Sequence, residues 1–203
     1  MLPANYTEIH GWCTVEKANK LMEIVDEIAP KICVELGVFG GRSLLPIALA
    51  AKKFSSKVFG IDAWCVAASI EGTNDKANTD WWAAIDYDFM YKYTVDLMVK
   101  NDVDVKLIRN SSLLVYTMFA DESIDLFHQD SNHSAEITCQ EIELYFNKIR
   151  IGGLWIFDDI NWPTTQEAAK LLVIKGYEKI FTSEDGGWAI FKRLPKEIAF
   201  CDV

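Results

Sequence analysis

The chain has 203 residues, with 30 Asp and Glu against 20 Lys and Arg, a formal charge of −10. Half of the residues are hydrophobic and a quarter are charged, the balance of one well-packed globular domain rather than a disordered or fibrous chain. The acidity excludes a broad nucleic-acid interface, which needs clustered Lys and Arg, and disfavours an anionic membrane surface.

The amino-terminal MLPANYTEIHGW lacks the basic start and apolar stretch of a signal peptide. Thr14 is placed to cap a helix whose apolar residues Ala18, Leu21, Val25 and Ile28 recur at three and four, and Pro30 ends it. Lys31 to Leu36 reads as a short buried strand that breaks at Gly37. A helix follows through Leu44 to Lys53. Its run Leu44 to Ala51 is the longest apolar stretch in the chain, contains Pro46, and is too short to span a bilayer. Lys57 to Ile61 is a second strand, ending at Asp62.

The segment 63–101 is an interruption rich in aromatic residues, among them Trp81, Trp82, Tyr87 and Tyr91, and mostly helical after Asp80. Because it follows Asp62, it is expected to rise as a lid on the ligand side of the sheet. Val103 to Ile108 is a third strand, after which Ser111 or Ser112 can cap a short helix to Phe119. Ile124 to Gln129 is a fourth strand ending at Asp130. The spacing then predicts an amphipathic helix from Ser134 to Ile149, with Ala135, Cys139, Ile142, Phe146 and Ile149 on its apolar face. Gly153 to Phe157 is a fifth strand ending at Asp158-Asp159, and a helix covers Thr165 to Ile174. Two last strands, Tyr177 to Phe181 and Trp188 to Phe191, flank a turn.

Strands separated by helix-length segments give a parallel α/β sheet, and the closing hairpin adds an antiparallel edge strand. Ligands in such sheets bind beyond the carboxyl ends of the strands, where Gly37, Asp62, Asp130, Asp158 and Asp159 all fall. The run Glu35-Leu36-Gly37-Val38-Phe39-Gly40-Gly41-Arg42-Ser43 is a glycine turn between strand and helix, but its spacing is not the GxGxxG of dinucleotide binders. Asp62 is placed to bind the hydroxyls of a ribose. Taken together, loop and acid favour a ligand that carries a nucleoside.

Three carboxylates at adjacent strand ends, Asp130, Asp158 and Asp159, repel one another unless a cation such as Mg²⁺ joins them. His133 has the right chemistry for a general base, yet spacing alone makes it a structural residue at a helix start. His128 reads as a satisfied core histidine. Five cysteines, odd in number and without CxxC spacing, argue against a disulfide framework or structural zinc and place the chain in the reducing cytosol. Cys33 and Cys139 read as core.

These motifs carry a resemblance. GWCTVEKA, VELGVFGGRS, GIDAW, the Trp-Trp insertion, LFHQDSNHS and GGLWIFDDINW resemble class I S-adenosylmethionine-dependent methyltransferases, and more closely the small-molecule and sugar O-methyltransferases of methyltransferase family 24. The resemblance implies a Rossmann-like class I fold over residues 1–203, with a seven-stranded, mostly parallel sheet and helices on both faces. It implies S-adenosylmethionine contacts at Glu35, Gly37, Phe39, Gly41, Ser43, Asp62, Ser111, Ser112 and Asp130, and Mg²⁺ on Asp130, Asp158 and Asp159. In the sugar enzymes the base is an acid two residues after the first metal Asp, but here that position is Asn132. In catechol-methylating relatives it is a Lys three residues after, and here that position is His133. The resemblance thereby makes His133 the leading base.

The function so implied is Mg²⁺-dependent O-methylation of a small molecule such as a sugar or phenol, by a cytoplasmic enzyme that could pair as a homodimer and that binds no nucleic acid or membrane. The alternatives are a protein that binds the cofactor without methyl transfer, for which Asn132 is the best support, and a nicotinamide oxidoreductase.

Overall fold

Thr14 accepts a hydrogen bond from the Lys17 N–H and caps helix α1, Val15–Ile28, and Ala29 closes that helix in the left-handed conformation just ahead of Pro30. The computed structural model describes residues 1–195 and places seven strands in one sheet: β1 (Ile32–Leu36), β2 (Lys57–Asp62), β3 (Val105–Arg109), β4 (Ile124–Gln129), β5 (Ile149–Phe157), β6 (Tyr177–Thr182) and β7 (Ala189–Arg193). Their order is β3-β2-β1-β4-β5-β7-β6. The first five run parallel, and β7 enters antiparallel between β5 and the outermost β6. The expected seven-stranded, mostly parallel sheet is observed.

Helices α2 (Leu44–Ala51), α3 (Val66–Ser69), α4 (Lys76–Ala83), α5 (Tyr87–Lys100), α6 (Ser112–Val115), α7 (Ala135–Tyr145) and α8 (Gln166–Ile174) complete the fold. Alternate strand residues feed two cores. Cys33, Val58, Leu126 and Ile156 pack with α1, α2 and α5 on one face. Val34, Leu36, Phe127, Trp155 and Phe157 pack with α7 and α8 on the other. Burial of a side chain such as Leu21, which has no exposed area, contributes about 2 kcal/mol.

The structure corrects three expectations. The helix expected from Ser134 to Ile149 ends at Tyr145, and Ile149 opens β5, which starts four residues before the expected Gly153. The face that α7 buries is Ile137, Thr138, Glu141, Ile142 and Tyr145, and Cys139 is only half-buried. The physical reason is Glu141, drawn inward by three side-chain donors from the site. The segment 63–101 also divides. Neither α3 nor α4 buries a residue, whereas α5 buries Met90, Leu97 and Met98 in the core as the crossover between β2 and β3. Only the part before α5 stays outside the core, and residues of it line the crevice.

Leaving β1, the chain goes out to β2 and β3 and then returns to β4 on the other side, so a crevice opens at the carboxyl ends of β1 and β4. Among the described residues no helix is long and apolar enough to cross a membrane. Cys13, Cys33, Cys65 and Cys139 are free thiols, and Cys201 lies outside the described residues.

Candidate active site

Gly37, at the end of β1, has φ +81°, and a Cβ there would stand 1.9 Å from the Asp130 carbonyl oxygen. Only glycine lets the β1 turn lie against the loop after β4. Asp62 fastens this turn. One of its carboxylate oxygens accepts from the Val38 and Phe39 N–H groups at 3.0 and 2.9 Å, and the other accepts from Trp64 N–H at 2.7 Å. Burial pushes the Asp62 pKa up against those three donors. A carboxylate has about four acceptor sites, so capacity remains for a ligand hydroxyl.

A cavity of about 640 Å³ opens above these residues. Gly37, Phe39, Ser43, Asp62, Ser111, Ser112, Asp130, His133, Asp158 and Asp159 line it, so most of the expected site residues share one space. Two do not. Glu35 is fully buried beneath the loop, where it accepts from Ser43 Oγ at 3.0 Å and faces His128 Nδ1 at 2.8 Å. Gly41 faces α5, where an added Cβ would meet Met98 at 2.8 Å; it is a packing glycine. These two expected cofactor contacts therefore support the loop from behind.

On the β4–β5 side, the His133 ring lies 4.9 Å from the Trp162 ring, with its Nε2 2.6 Å from Asp159 Oδ2 and 3.8 Å from Asp130 Oδ1. Burial, with the neighbouring Asp158 and Asp159 charges, holds Asp130 well above the usual carboxylate range. Asp158 is shared differently. The Lys17 ammonium contacts Asp158 Oδ2, and both side chains are largely buried. Burial alone would raise Asp158, but the Lys17 and His128 charges outweigh it and hold the carboxyl well below its usual range. Burial would likewise lower Lys17, and the Asp158 and Asp130 charges reverse that.

His128 corrects its expectation. It is a core residue, but not a satisfied one. Its Nε2 has no hydrogen-bond partner and sits 3.6 Å from Asp158 Oδ2. Burial and Lys17 push its pKa down, yet Asp158 and Glu35 leave it raised.

Asn132 has a structural task that an acid would perform badly. Its amide nitrogen donates to the Ala68 and Glu71 carbonyls at and just after α3, both at 2.9 Å, and its oxygen accepts from Ser134 N–H. Glu141 accepts from Ser112, Gln129 and Ser131, which holds the β3 and β4 loops together. Cys13 lines the cavity, but burial pushes its thiol up to about 11, which leaves it a poor nucleophile.

The open wall is aromatic. Trp12 stacks on Phe39 at 5.3 Å, and Trp81 and Trp82 pack edge-on against it. Sequence reasoning gave Trp12 and Lys17, both inside GWCTVEKA, no role of their own. Lys17 left a readable signal: it lies four residues before Leu21 on the apolar stripe of α1, where a charge is costly unless paired.

A family model described as a methyltransferase domain matches residues 34–160. Solved structures are similar in fold. The O-methyltransferase NovP has a TM-score of 0.70 at 14% identity, covering 91% of this chain and 84% of its own. A Podospora anserina methyltransferase bound to S-adenosylhomocysteine has a TM-score of 0.66 at 11% identity, covering 96% and 88%. A Staphylococcus aureus protein described as a caffeoyl-CoA O-methyltransferase has a TM-score of 0.61 at 15% identity, covering 94% and 88%. No curated protein sequence matches the chain.

Proposed function

The chain belongs to the methyltransferase-domain family; it is an S-adenosylmethionine-dependent methyltransferase, and we propose that it methylates a hydroxyl of a small, ring-bearing acceptor. The observation that carries this reading is one cavity joining the glycine turn and Asp62 to the His133–Asp159 pair. Bound S-adenosylmethionine supplies an electrophilic sulfonium methyl. Asp62 and the Ser111 and Ser112 hydroxyls face the cavity where the nucleoside would lie. Trp12, Trp81 and Trp82 form a wall that suits a planar or sugar ring and sheds water from it.

His133 takes the hydroxyl proton as the oxygen attacks the methyl carbon; its Nε2 forms no hydrogen bond, and the Asp159 carboxylate 2.6 Å away faces the charge that the ring acquires. The C–S bond breaks with its electron pair going to sulfur. Proximity supplies most of the remaining acceleration, since the leaving thioether is neutral.

The resemblance also implies Mg²⁺ on Asp130, Asp158 and Asp159. Those carboxylates do not meet as one set: Asp130 groups with His128 and Asp158 on one side and with His133 and Asp159 on the other, each set brings an imidazole where Mg²⁺ needs near-octahedral oxygen ligands, and the ion repels the ammonium seated on Asp158. With Lys17 in place the three residues do not fit the ion, and no step here runs through one. The Asn132 amide has a structural occupation of its own, donating to the Ala68 and Glu71 carbonyls, which accounts for an amide at this position without loss of activity.

The test is transfer of a labelled methyl group to a panel of catechols, glycosides and hydroxy acids, alongside calorimetric binding of S-adenosylhomocysteine. Absence of S-adenosylhomocysteine binding sinks the reading. His133→Gln is expected to slow transfer about 10²–10⁴-fold while binding of S-adenosylhomocysteine is retained.

A further inference from the structure

The carboxylate cluster already contains a cation. Lys17 is the third residue of α1, its backbone N–H is fixed by the Thr14 cap, and its side chain is 7% exposed. It is not a surface lysine that happens to lie near an acid. A capped helix packed on the core delivers it. Its ammonium meets Asp158 Oδ2, and behind Asp158 a buried line continues through His128 to Glu35 and Ser43. Along that line a base faces an acid from Lys17 as far as Glu35.

We infer that the Lys17 ammonium is the resident cation of this cluster, seated where metal-dependent relatives hold a divalent ion, so that methyl transfer by this chain needs no metal. A divalent ion on Asp158 would have to expel the ammonium, leaving Lys17 charged and unpaired in a largely buried position. Lys17 therefore acts as a positioning residue. It keeps Asp158 ionised and in place and closes the seat to free cations. The proton chemistry is left to His133 and Asp159, which face the same cavity. A tethered ammonium can neutralise one carboxylate, but it has no open coordination position for a substrate oxygen. The acceptor hydroxyl therefore depends on the imidazole for its activation.

The inference rests on the methyltransferase reading only for the transfer step; its cation chemistry stands apart from it. Mn²⁺ alone, followed by electron paramagnetic resonance, is the probe. The wild type, Lys17→Met, Lys17→Arg, Asp158→Asn and the double variant Lys17→Met/Asp158→Asn are compared, each checked by circular dichroism and by S-adenosylhomocysteine binding. The wild type and Lys17→Arg are expected to take up no Mn²⁺ at the cluster, and EDTA to leave wild-type transfer unchanged. Lys17→Met is expected to gain a Mn²⁺ site at least about 10-fold tighter than any in the wild type, and the double variant to lose it.

A wild-type Mn²⁺ site that Asp158→Asn removes would overturn the inference. So would a folded, S-adenosylhomocysteine-binding Lys17→Met that holds no more Mn²⁺ than the wild type, or EDTA-sensitive transfer restored by Mg²⁺. If Lys17→Met does not fold, the wild-type and Lys17→Arg measurements still decide. Failure of S-adenosylhomocysteine binding would strike the proposed function and leave the Mn²⁺ result standing.

Discussion

On the β1–β2 side of the crevice, Asp62 is held by three backbone N–H groups that lie within 24 residues of it in the chain. On the β4–β5 side, Asp158 is held by an ammonium 141 residues away and faces an imidazole on the neighbouring strand. Both acids end strands of the same sheet, yet one is satisfied by neutral dipoles and the other by charges. A dipole cradle is local and indifferent to which other residues are ionised. A charge pair depends on both partners keeping their protonation state and on the packing that brings them together. The first suits a site that must present a fixed surface to one ligand. The second suits a site whose charges must stay fixed in place.

Gly37 is where the two sides touch, and breaking that contact has the largest expected effect. In Gly37→Ala the new Cβ would fall 1.9 Å from the Asp130 carbonyl at a φ of +81°. Stability is expected to fall by about 3 kcal/mol or more, read from urea unfolding, with loss of S-adenosylhomocysteine binding. Wild-type stability in this variant would show that the sides do not lie so close.

Asn132→Asp asks whether the β4 side can accept one more charge. It removes both amide donors and sets an anion against the Ala68 and Glu71 carbonyls. The expected loss is about 1–3 kcal/mol, with faster amide exchange over 66–71 and slower transfer. Faster transfer would instead show that the acid position of the sugar enzymes still works here.

The smallest effect is expected from Asp125, near the start of β4, which combines both solutions. It accepts from the Lys31 and Ile32 N–H groups and pairs with Arg150. Burial raises its pKa, but the Arg150 bond and the two N–H donors outweigh that and leave it lowered. A folded pKa below the unfolded one means stabilisation that is full above about pH 4 and lost as pH falls through the folded value. The stability gap between wild type and Asp125→Asn is therefore expected to narrow below about pH 4 in urea titrations. A gap that stays constant would assign the role of Asp125 to shape rather than charge.

The strands, the glycine turn and the acids at strand ends were legible in the sequence because their causes are local. β-branched runs make strands, a break at Gly37 or Asp62 ends them, and Thr14 caps the helix that begins at Val15. Grouping Asp130, Asp158 and Asp159 needed only the rule that parallel strands end at one edge, whereas His133 joined them only through the family resemblance. What misled was periodicity in α7, where polar Glu141 is pulled inward by Ser112, Gln129 and Ser131. Apolar spacing cannot register such a residue.

The residues by themselves determined a parallel α/β sheet with a nucleoside-type turn and a set of acids beyond its strands. Only the tertiary structure decided what each acid faces. Glu35 went beneath the loop, Asp62 to the backbone donors, Asp159 to His133 and Asp158 to Lys17. The reason is that strand order, not chain order, sets which charges meet. β1 lies beside β4, β4 beside β5, and α1 covers their shared face, so a lysine near the start of the chain comes to rest on an aspartate near its end.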